Sequence, residues 1–226
     1  MDQIDKIIYI NLKHRQDREK GLLETLKNID IPQEKLHKID AELTLICGHL
    51  GCGLSHIKAL EYAIQNNYNK VLILEDDFRF TQPKDYINTN LNKLFKNNDW
   101  DVALFTYGHH YPLINIDNPD LEKFKKITGG TTASGYIVKN HFFNILLKVF
   151  RESVEKIKKE MDTHIQDCNN KNIPITKMLY ASAIDVEWHS LQDKYTFYTF
   201  EPVIGKQDGG WSDNNNSLEN QLQYIY

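Results

Sequence analysis

Apolar residues along the chain fall into short runs rich in β-branched side chains and longer stretches with helical spacing. The first run covers residues 6–12 and predicts a buried strand, and a polar turn separates it from leucines at positions 22, 23 and 26. The first unit is therefore predicted as strand, turn and helix. Residues 70–74 are the best candidate for a central strand, and they run directly into Glu75-Asp76-Asp77.

The same alternation continues along the rest of the chain. Further strands are predicted at residues 36–40, 101–105, 134–138, 177–181 and 195–203. Further helices are predicted at residues 51–65, 85–95, 140–161 and 162–169, and from residue 185. Strands that alternate with helices are typical of an α/β fold, in which helices flank a mostly parallel sheet.

No repeat or linker divides the chain, so residues 1–226 are predicted to form a single domain. Prolines at positions 112 and 119 and the pair Gly129-Gly130 predict a long flexible loop over residues 108–132. The asparagine-rich tail from about residue 209 is expected to be loosely ordered.

Composition narrows the class of protein. Hydrophobic residues make up 41 % and aromatic residues 11 % of the chain, which is enough for a packed core and excludes a wholly disordered protein. The net charge of −4 argues against a nucleic-acid partner that binds through bulk charge. The purest apolar run, residues 71–74, is far too short to cross a membrane, and the acidic amino terminus lacks the apolar segment of a signal peptide. Three cysteines make no disulfide scaffold, so a soluble protein of a reducing compartment such as the cytoplasm is expected.

Three adjacent carboxylates, Glu75, Asp76 and Asp77, follow the predicted central strand. Such charges repel one another, and ligands bind α/β sheets beyond the carboxyl ends of the strands. Because side chains alternate along a strand, Glu75 and Asp77 are expected on one side and Asp76 on the other. Hard oxygen ligands suit Mg²⁺ or Mn²⁺, so a metal site is one interpretation and a solvated acidic turn is the other.

Arg15 and Arg18 follow the first strand within one helical turn of each other. Guanidinium groups match phosphate oxygens in pairs, and the amino end of a helix adds partial positive charge. One interpretation is therefore an anionic ligand beyond the first strand. The other is that both arginines are solvated and pair with Asp17 and Glu19.

A glycine-rich segment, residues 48–56, leads into the second predicted helix. Its glycine spacing differs from the dinucleotide fingerprint, although glycines at the start of a helix let a ligand approach the backbone. Ser55 and His56 could bond to a ribose, a base or an adjacent strand. A zinc set can also be considered, made of Cys47, His49, Cys52 and His56. Its spacing fits no standard zinc motif, so Cys52 is expected to pack as a small apolar residue.

Asp185 begins an apolar helix after a run of small residues. Aspartate is a preferred helix N-cap, which is one interpretation. The other is a general base, provided that the carboxylate faces a cleft. The isolated histidines His109, His110 and His189 are assigned no role.

Taken in order, these segments resemble glycosyltransferase family 25. The resemblance rests on residues 8–12 with Arg15 and Arg18, residues 51–56, 71–77 and 135–138, Asp185, and residues 201–207 with Ser212 and Asp213. It covers nearly the whole chain, with the segments in the right order and at compatible intervals.

The resemblance implies a GT-A type fold, Rossmann-like in its nucleotide-sugar-binding part, with a UDP-sugar favoured as donor and Mn²⁺ or Mg²⁺ as cofactor. Glu75 and Asp77 would hold the metal against the donor diphosphate. Asp185 is the position implied for the base that accepts the proton of the acceptor hydroxyl. The donor would be contacted by residues of the first strand, the following turn, the second helix and the acidic segment, namely Tyr9, Ile10, Asn11, Leu12, Arg15, Arg18, Ser55, His56 and Asp76.

The expected function is metal-dependent, inverting transfer of a hexose or N-acetylhexosamine from a UDP-sugar to a hydroxyl acceptor. The acceptor could be a glycan, a lipooligosaccharide or a hydroxylysine of a collagen-like protein. Two alternatives stay open: a metal-dependent hydrolase of nucleotide sugars, and a non-catalytic module that binds sugar nucleotides or glycans. The sequence has no P-loop and no G-x-S-x-G elbow, which disfavours P-loop nucleotide hydrolysis and the usual α/β-hydrolase chemistry.

Overall fold

Strands and helices alternate along most of the chain in a computed structural model, which describes residues 1–108, 112–178, 182–212 and 217–219. The strands are β1 Lys6–Asn11, β2 Leu36–Asp40, β3 Lys70–Glu75, β4 Phe78–Phe80, β5 Val102–Leu104, β6 Ile114–Asn115, β7 Phe124–Lys126, β8 Gly135–Lys139, β9 Phe197–Phe200, β10 Gly205–Gln207, β11 Gly210–Ser212 and β12 Ser217–Glu219. The helices are α1 Gln16–Asn28, α2 Gly48–Gln65, α3 Lys84–Lys96, α4 Asn140–Asn170, α5 Ile184–Glu187 and α6 His189–Gln192, and short 3-10 turns occur at Gln33–Lys35 and Pro119–Leu121.

The main sheet has eight strands in the order β2-β1-β3-β8-β5-β9-β7-β6. β1 pairs in parallel with β2 and β3, and β5 pairs in parallel with β9. β8 runs antiparallel to both β3 and β5, and β7 runs antiparallel to β9 and β6. Only β7 and β8 of this sheet therefore oppose the common strand direction. The predicted α/β class, with a mostly parallel sheet flanked by helices, is confirmed.

Helices cover both faces of the sheet and create two cores. On one face α2 and α4 pack against residues such as Ile8 and Ile73, and on the other α1 and α3 pack against Ile7 and Leu72. Because both faces are covered, β1 and β3 consist almost entirely of buried apolar residues. The carboxyl ends of these two adjacent strands consequently lie together at one edge of the sheet.

The predicted break at residue 161 does not occur, because α4 is a single helix of 31 residues. No glycine or proline interrupts residues 140–170, so nothing in the local chemistry ends the helix earlier. Its buried apolar residues continue at helical spacing along one side, at Phe143, Leu147, Phe150, Val154 and Ile157. Among the described residues, each helix is too short or too polar to cross a bilayer.

The segment between β5 and β8 contains two short strands, β6 and β7, at the edge of the sheet, where the sequence predicts a long loop. Its two ends meet. Gly108 and Thr131 form an isolated antiparallel bridge, and the hydroxyls of Thr106 and Ser134 are 2.7 Å apart. Residues 109–111, which include His109 and His110, lie outside the described residues.

The remaining differences concern the last third of the chain. The strand predicted at residues 177–181 is absent through Met178, and residues 179–181 lie outside the described part. β4 and β10 form a small antiparallel sheet immediately after the acidic residues, and β11 pairs with β12 in the tail. Residues 213–216, with Asp213, and 220–226 lie outside the described part.

Candidate active site

The ends of β1 and β3 bring Asn11 beside the acidic segment. Ile10 is in register with Glu75, so the next residue on β1 lies next to the turn that follows β3. The Asn11 side chain is 1 % exposed. Its Nδ2 donates hydrogen bonds to the Arg15 carbonyl at 3.0 Å and to Asp76 Oδ2 at 2.9 Å. This amide ties together β1, the start of α1 and the acidic turn.

Arg18, in the first turn of α1, bridges two of the three acids. Its Nη1 lies 3.1 Å from Asp76 Oδ1 and 3.3 Å from Asp77 Oδ2. The expectation that Glu75 and Asp77 share one side and Asp76 the other is therefore wrong. β3 ends at Glu75, so the strand alternation stops there and the next two residues turn together toward Arg18.

One acceptor atom of Asp77 is buried without a hydrogen-bond partner among the described residues. Its Oδ1 and the Oδ1 of Asn11 are buried, and neither accepts a hydrogen bond from any residue that the structure describes. Burial, followed by the charge of Glu75, raises the pKa of Asp77 to about 7, although Arg18 acts in the opposite direction. Burial also raises the pKa of Asp76 against the effect of Arg18. The turn therefore favours a cation or a further hydrogen-bond donor.

Glu75 turns toward α2 and β8. Its Oε1 lies 3.2 Å from His56 Nε2 and 3.3 Å from Cys52 Sγ. His56 is fully buried, and its Nδ1 lies 3.0 Å from the Tyr136 hydroxyl. Burial has the largest single effect and raises the pKa of Glu75. The hydrogen bond and charge of His56, with smaller effects of Cys52 and Arg18, together outweigh burial, so the pKa is lowered. Burial raises the pKa of the Cys52 thiol well above its usual value, and the charges of Glu75 and Asp185 add to this.

Asp185 is the second residue of α5, and its carboxylate does not cap that helix. Ala183 is at the N-cap position, so the N-cap interpretation is wrong. Asp185 Oδ2 instead accepts a hydrogen bond from the Thr132 amide at 2.9 Å. Thr132 has a φ of 82°, which β-branched residues rarely adopt, so the surrounding structure must hold it in place.

Trp188, at the end of α5, and Gln192, in α6, form buried hydrogen bonds to the loop that contains Thr132. Gln192 and Gly130 exchange two hydrogen bonds of 2.8 Å, one from the Gly130 amide and one to its carbonyl. Trp188 Nε1 donates to the same carbonyl at 2.9 Å. The position of Thr132, and with it the orientation of the Asp185 carboxylate, thus depends on buried polar contacts of α5 and α6.

Several predicted donor-binding side chains are engaged within the protein. The Tyr9 hydroxyl donates to Glu19 Oε1 at 2.9 Å. The Ser55 hydroxyl donates to the Gly51 carbonyl at 2.6 Å and accepts the Glu42 amide at 2.9 Å. These contacts favour structural roles for both hydroxyls.

The other three predicted donor-side residues are Ile10, Leu12 and Arg15. Ile10 is buried, and the Leu12 carbonyl accepts the Arg15 amide at 2.7 Å. The Arg15 guanidinium forms two hydrogen bonds to Asp17, at 3.1 and 3.0 Å. Of the two predicted arginines, the structure brings Arg18 to the acidic turn and Arg15 to a surface carboxylate.

The space beside the glycines in the first two turns of α2 is occupied by other atoms of the protein. A Cβ on Gly51 would lie 2.2 Å from the Glu42 carbonyl oxygen, and one on Gly53 would lie 2.9 Å from a methyl group of Val154. The considered zinc set is not assembled either, since Cys47 is buried in the apolar core. A different group of potential metal ligands lies within 4.8 Å, consisting of Cys52, His56 and Glu75.

Arg79 is a residue of the site that the sequence patterns missed. Its Nη1 donates to the carbonyls of Asp76 and Phe78 at 2.9 and 2.7 Å, and its Nε lies 2.9 Å from Asp208 Oδ2. The Asp208 amide donates to the Asp77 carbonyl at 2.7 Å. β10 therefore clamps the acidic turn. The sequence held one signal for this: residues 201–207 belong to the family resemblance, and the last of them, Gln207, pairs with Phe78 directly after the acidic turn.

Comparison with protein families decides the class. The family model described as "Glycosyltransferase family 25 (LPS biosynthesis protein)" matches residues 10–165, which is more than half of the chain. The chain belongs to glycosyltransferase family 25. The matched region of this family 25 chain contains the end of β1, the acidic turn, the Cys52–His56 pair and β8, whereas Asp185 and β10 lie beyond it.

Known relatives of this family 25 chain include procollagen galactosyltransferase 2 of Mus musculus and of Homo sapiens. Each is 29 % identical over 100 residues, covering 34 % of this chain and 16 % of the relative, so this chain corresponds to a small part of their length. Similar solved structures include A197 from STIV, with a TM-score of 0.49, 14 % identity and coverage of 96 % of this chain and 95 % of that one. A glycosyltransferase involved in the glycosylation of the major capsid of PBCV-1 gives a TM-score of 0.44, 9 % identity and coverage of 86 % and 91 %.

Proposed function

We propose that this family 25 chain transfers a hexose or N-acetylhexosamine from a UDP-sugar to a hydroxyl acceptor, with inversion and with the help of Mn²⁺ or Mg²⁺. The observation that carries the proposal is the buried Asp77 carboxylate, whose Oδ1 accepts no hydrogen bond from the described part of the chain. It lies beside Arg18 where β3 ends, in a chain whose family supplies the reaction class.

The residues at this turn fit a hard divalent cation. Asp77 Oδ1 and Asn11 Oδ1 are buried oxygen atoms, and oxygen is the ligand atom that Mg²⁺ and Mn²⁺ prefer. Glu75 was the second predicted ligand, but its Oε1 is engaged by His56 and Cys52, so Asp77 is proposed as the main ligand. When bound there, the cation neutralises the charge that develops on the departing nucleoside diphosphate.

The neighbouring side chains hold this ligand in place. Arg18 contacts both Asp76 and Asp77 through one nitrogen, and Asn11 at the end of the neighbouring strand β1 donates a hydrogen bond to Asp76. Arg79 and β10 hold the backbone of the turn. A guanidinium and a cation close together favour an anionic diphosphate, and this is the support for a nucleotide-sugar donor.

Asp185 is proposed as the base. The Thr132 amide occupies Oδ2, which orients the carboxylate and leaves Oδ1 to accept the proton of the acceptor hydroxyl. As that proton moves to Asp185, the acceptor oxygen bonds to the anomeric carbon and the bond from that carbon to the diphosphate oxygen breaks. The proposed acceptor is a hydroxyl of a glycan, a lipooligosaccharide or a hydroxylysine in a collagen-like protein.

Thermal-shift measurements with UDP-, GDP- and CMP-sugars, each with Mn²⁺ or with EDTA, test the proposal. A UDP-sugar is expected to raise the melting temperature only when Mn²⁺ is present, because a ligand stabilises the state that binds it. Asp77→Asn should lose this effect, whereas Asp120→Asn, at an exposed position remote in the fold, should keep it. Equal stabilisation of Asp77→Asn and the native chain would refute the assignment.

Product analysis separates transfer from its alternatives. With donor and Mn²⁺, release of UDP that needs an added hydroxyl acceptor supports transfer. Release at the same rate without acceptor would show a hydrolase, and stabilisation by the donor without any turnover would show a binding module.

A further inference from the structure

A second group of potential metal ligands lies beside the acidic turn and has a different chemistry. Cys52, His56 and Glu75 offer one sulfur, one nitrogen and one oxygen, all within 4.8 Å of one another. Cys52 and His56 are four residues apart on α2 and therefore share a face of that helix, while Glu75 closes the group from the end of β3. From this arrangement we propose that Cys52, His56 and Glu75 bind a thiophilic divalent cation, Zn²⁺ in the first place, at a site separate from Asp77.

Two of the three distances between ligand atoms suit such a cation, and the third is within 4.8 Å. Glu75 Oε1 lies 3.2 Å from His56 Nε2 and 3.3 Å from Cys52 Sγ. In a tetrahedral zinc site with bonds of about 2.0–2.3 Å, neighbouring ligand atoms are about 3.5 Å apart. Three protein ligands leave one position for water or another small ligand. Sulfur and imidazole ligands select Zn²⁺ over the hard Mn²⁺ and Mg²⁺.

A histidine that binds zinc through one ring nitrogen usually forms a hydrogen bond through the other, and His56 has a partner for such a bond. His56 is fully buried, and its Nδ1 lies 3.0 Å from the Tyr136 hydroxyl. With Nε2 on the cation, the ring proton moves to Nδ1 and is donated to the Tyr136 oxygen, which fixes the orientation of the ring. The Cys52 thiol proton is released to solvent when the thiolate binds. Cys52 and Glu75 are only partly buried, so the cation can enter from their side.

This inference goes beyond the proposed transfer reaction and does not rest on it. Co²⁺ serves as the probe, because a cysteine thiolate that binds it gives a charge-transfer band in the near ultraviolet. The native chain is expected to show the band on addition of Co²⁺, to lose it when Zn²⁺ is added, and to melt at a higher temperature with Zn²⁺. Cys52→Ser should lose the band. Tyr136→Phe should keep it but weaken Co²⁺ binding about 10- to 100-fold.

Two control variants identify the site. Cys168→Ser removes a different thiol that has a histidine nearby, since Cys168 Sγ lies 3.8 Å from His164 Nε2. Asp77→Asn removes the proposed Mn²⁺ ligand. Both should keep the band, so loss of Mn²⁺-dependent donor binding and loss of the cobalt band would occur in different variants. No band in the native chain, a band that survives in Cys52→Ser, or a band lost in Cys168→Ser would each overturn the proposal. If circular dichroism shows that Cys52→Ser does not fold, Tyr136→Phe becomes the deciding variant. Unchanged Co²⁺ affinity in Tyr136→Phe would then overturn the proposal.

Discussion

Asp77→Asn is expected to stabilise the metal-free protein at neutral pH, although Asp77 is the proposed cation ligand. The Asp77 side chain is buried, and burial, followed by the charge of Glu75, raises its pKa from 3.8 to about 7. Between these two pH values the folded protein keeps a proton that the unfolded chain releases, so the free energy of unfolding falls as the pH rises. A difference of about three pH units corresponds to about 4 kcal/mol.

Asparagine has no proton to release in this range. The free energy of unfolding of Asp77→Asn minus that of the native chain should therefore rise by about 4 kcal/mol between about pH 4 and pH 8. Urea denaturation at a series of pH values in EDTA measures this difference. The carboxyl groups far from the turn titrate alike in both proteins and cancel.

Asp17→Asn is the matched control, because Asp17 is an exposed acid in the first turn of α1, the turn that also contains Arg18. Its hydrogen bond from Arg15 lowers the pKa of Asp17 to about 2, so its contribution to stability is already complete above about pH 4. The same difference for Asp17→Asn should be flat from about pH 4 to pH 8. A flat profile for Asp77→Asn as well would show that Asp77 keeps an ordinary pKa, and the buried-acid argument would fail.

Two further substitutions test other parts of the site. Asp185→Asn should lower kcat strongly and leave the donor KM unchanged, as steady-state kinetics with varied donor can show; an equal loss of donor affinity would indicate a structural role instead. Gly51→Ala should lower the free energy of unfolding by about 1–3 kcal/mol, because the added Cβ would lie 2.2 Å from the Glu42 carbonyl oxygen. Gly53→Ala should cost less in urea denaturation, because its Cβ would lie 2.9 Å from a methyl group of Val154 and not 2.2 Å from a backbone oxygen. The reverse order would contradict the packing argument.

The sequence patterns locate the central strands well because burial on both faces leaves few alternatives. Residues 6–12 and 70–74 are almost wholly apolar and correspond to β1 and β3. The reversal of β8 could not be read from its own residues, since an apolar run looks the same in either direction. The segment that connects β5 to β8 did indicate the reversal. Parallel strands need a crossover, usually a helix, and residues 108–132 show no helical periodicity.

The candidate site was predictable as far as it depends on adjacent strands. Arg18 was expected beyond the first strand and the acids beyond the central strand, and the structure brings them together because β1 and β3 are neighbours. The partner of each acid could not be predicted, because it depends on where β3 stops and the turn begins. The i, i+4 spacing of Cys52 and His56 shows that they share a helix face, but Glu75 joins them only through tertiary packing.

The two ends of the segment between β5 and β8 contact each other, and this affects how the length and sequence of the segment can vary. Since Gly108 bridges Thr131 and the Thr106 and Ser134 hydroxyls touch, the segment leaves and re-enters the sheet at nearly one point beside the acidic turn. A stretch anchored in this way can change length at small entropic cost without shifting the register of β8. Residues between these anchors can therefore be exchanged while the strand ends, and the acidic turn beside them, keep their positions.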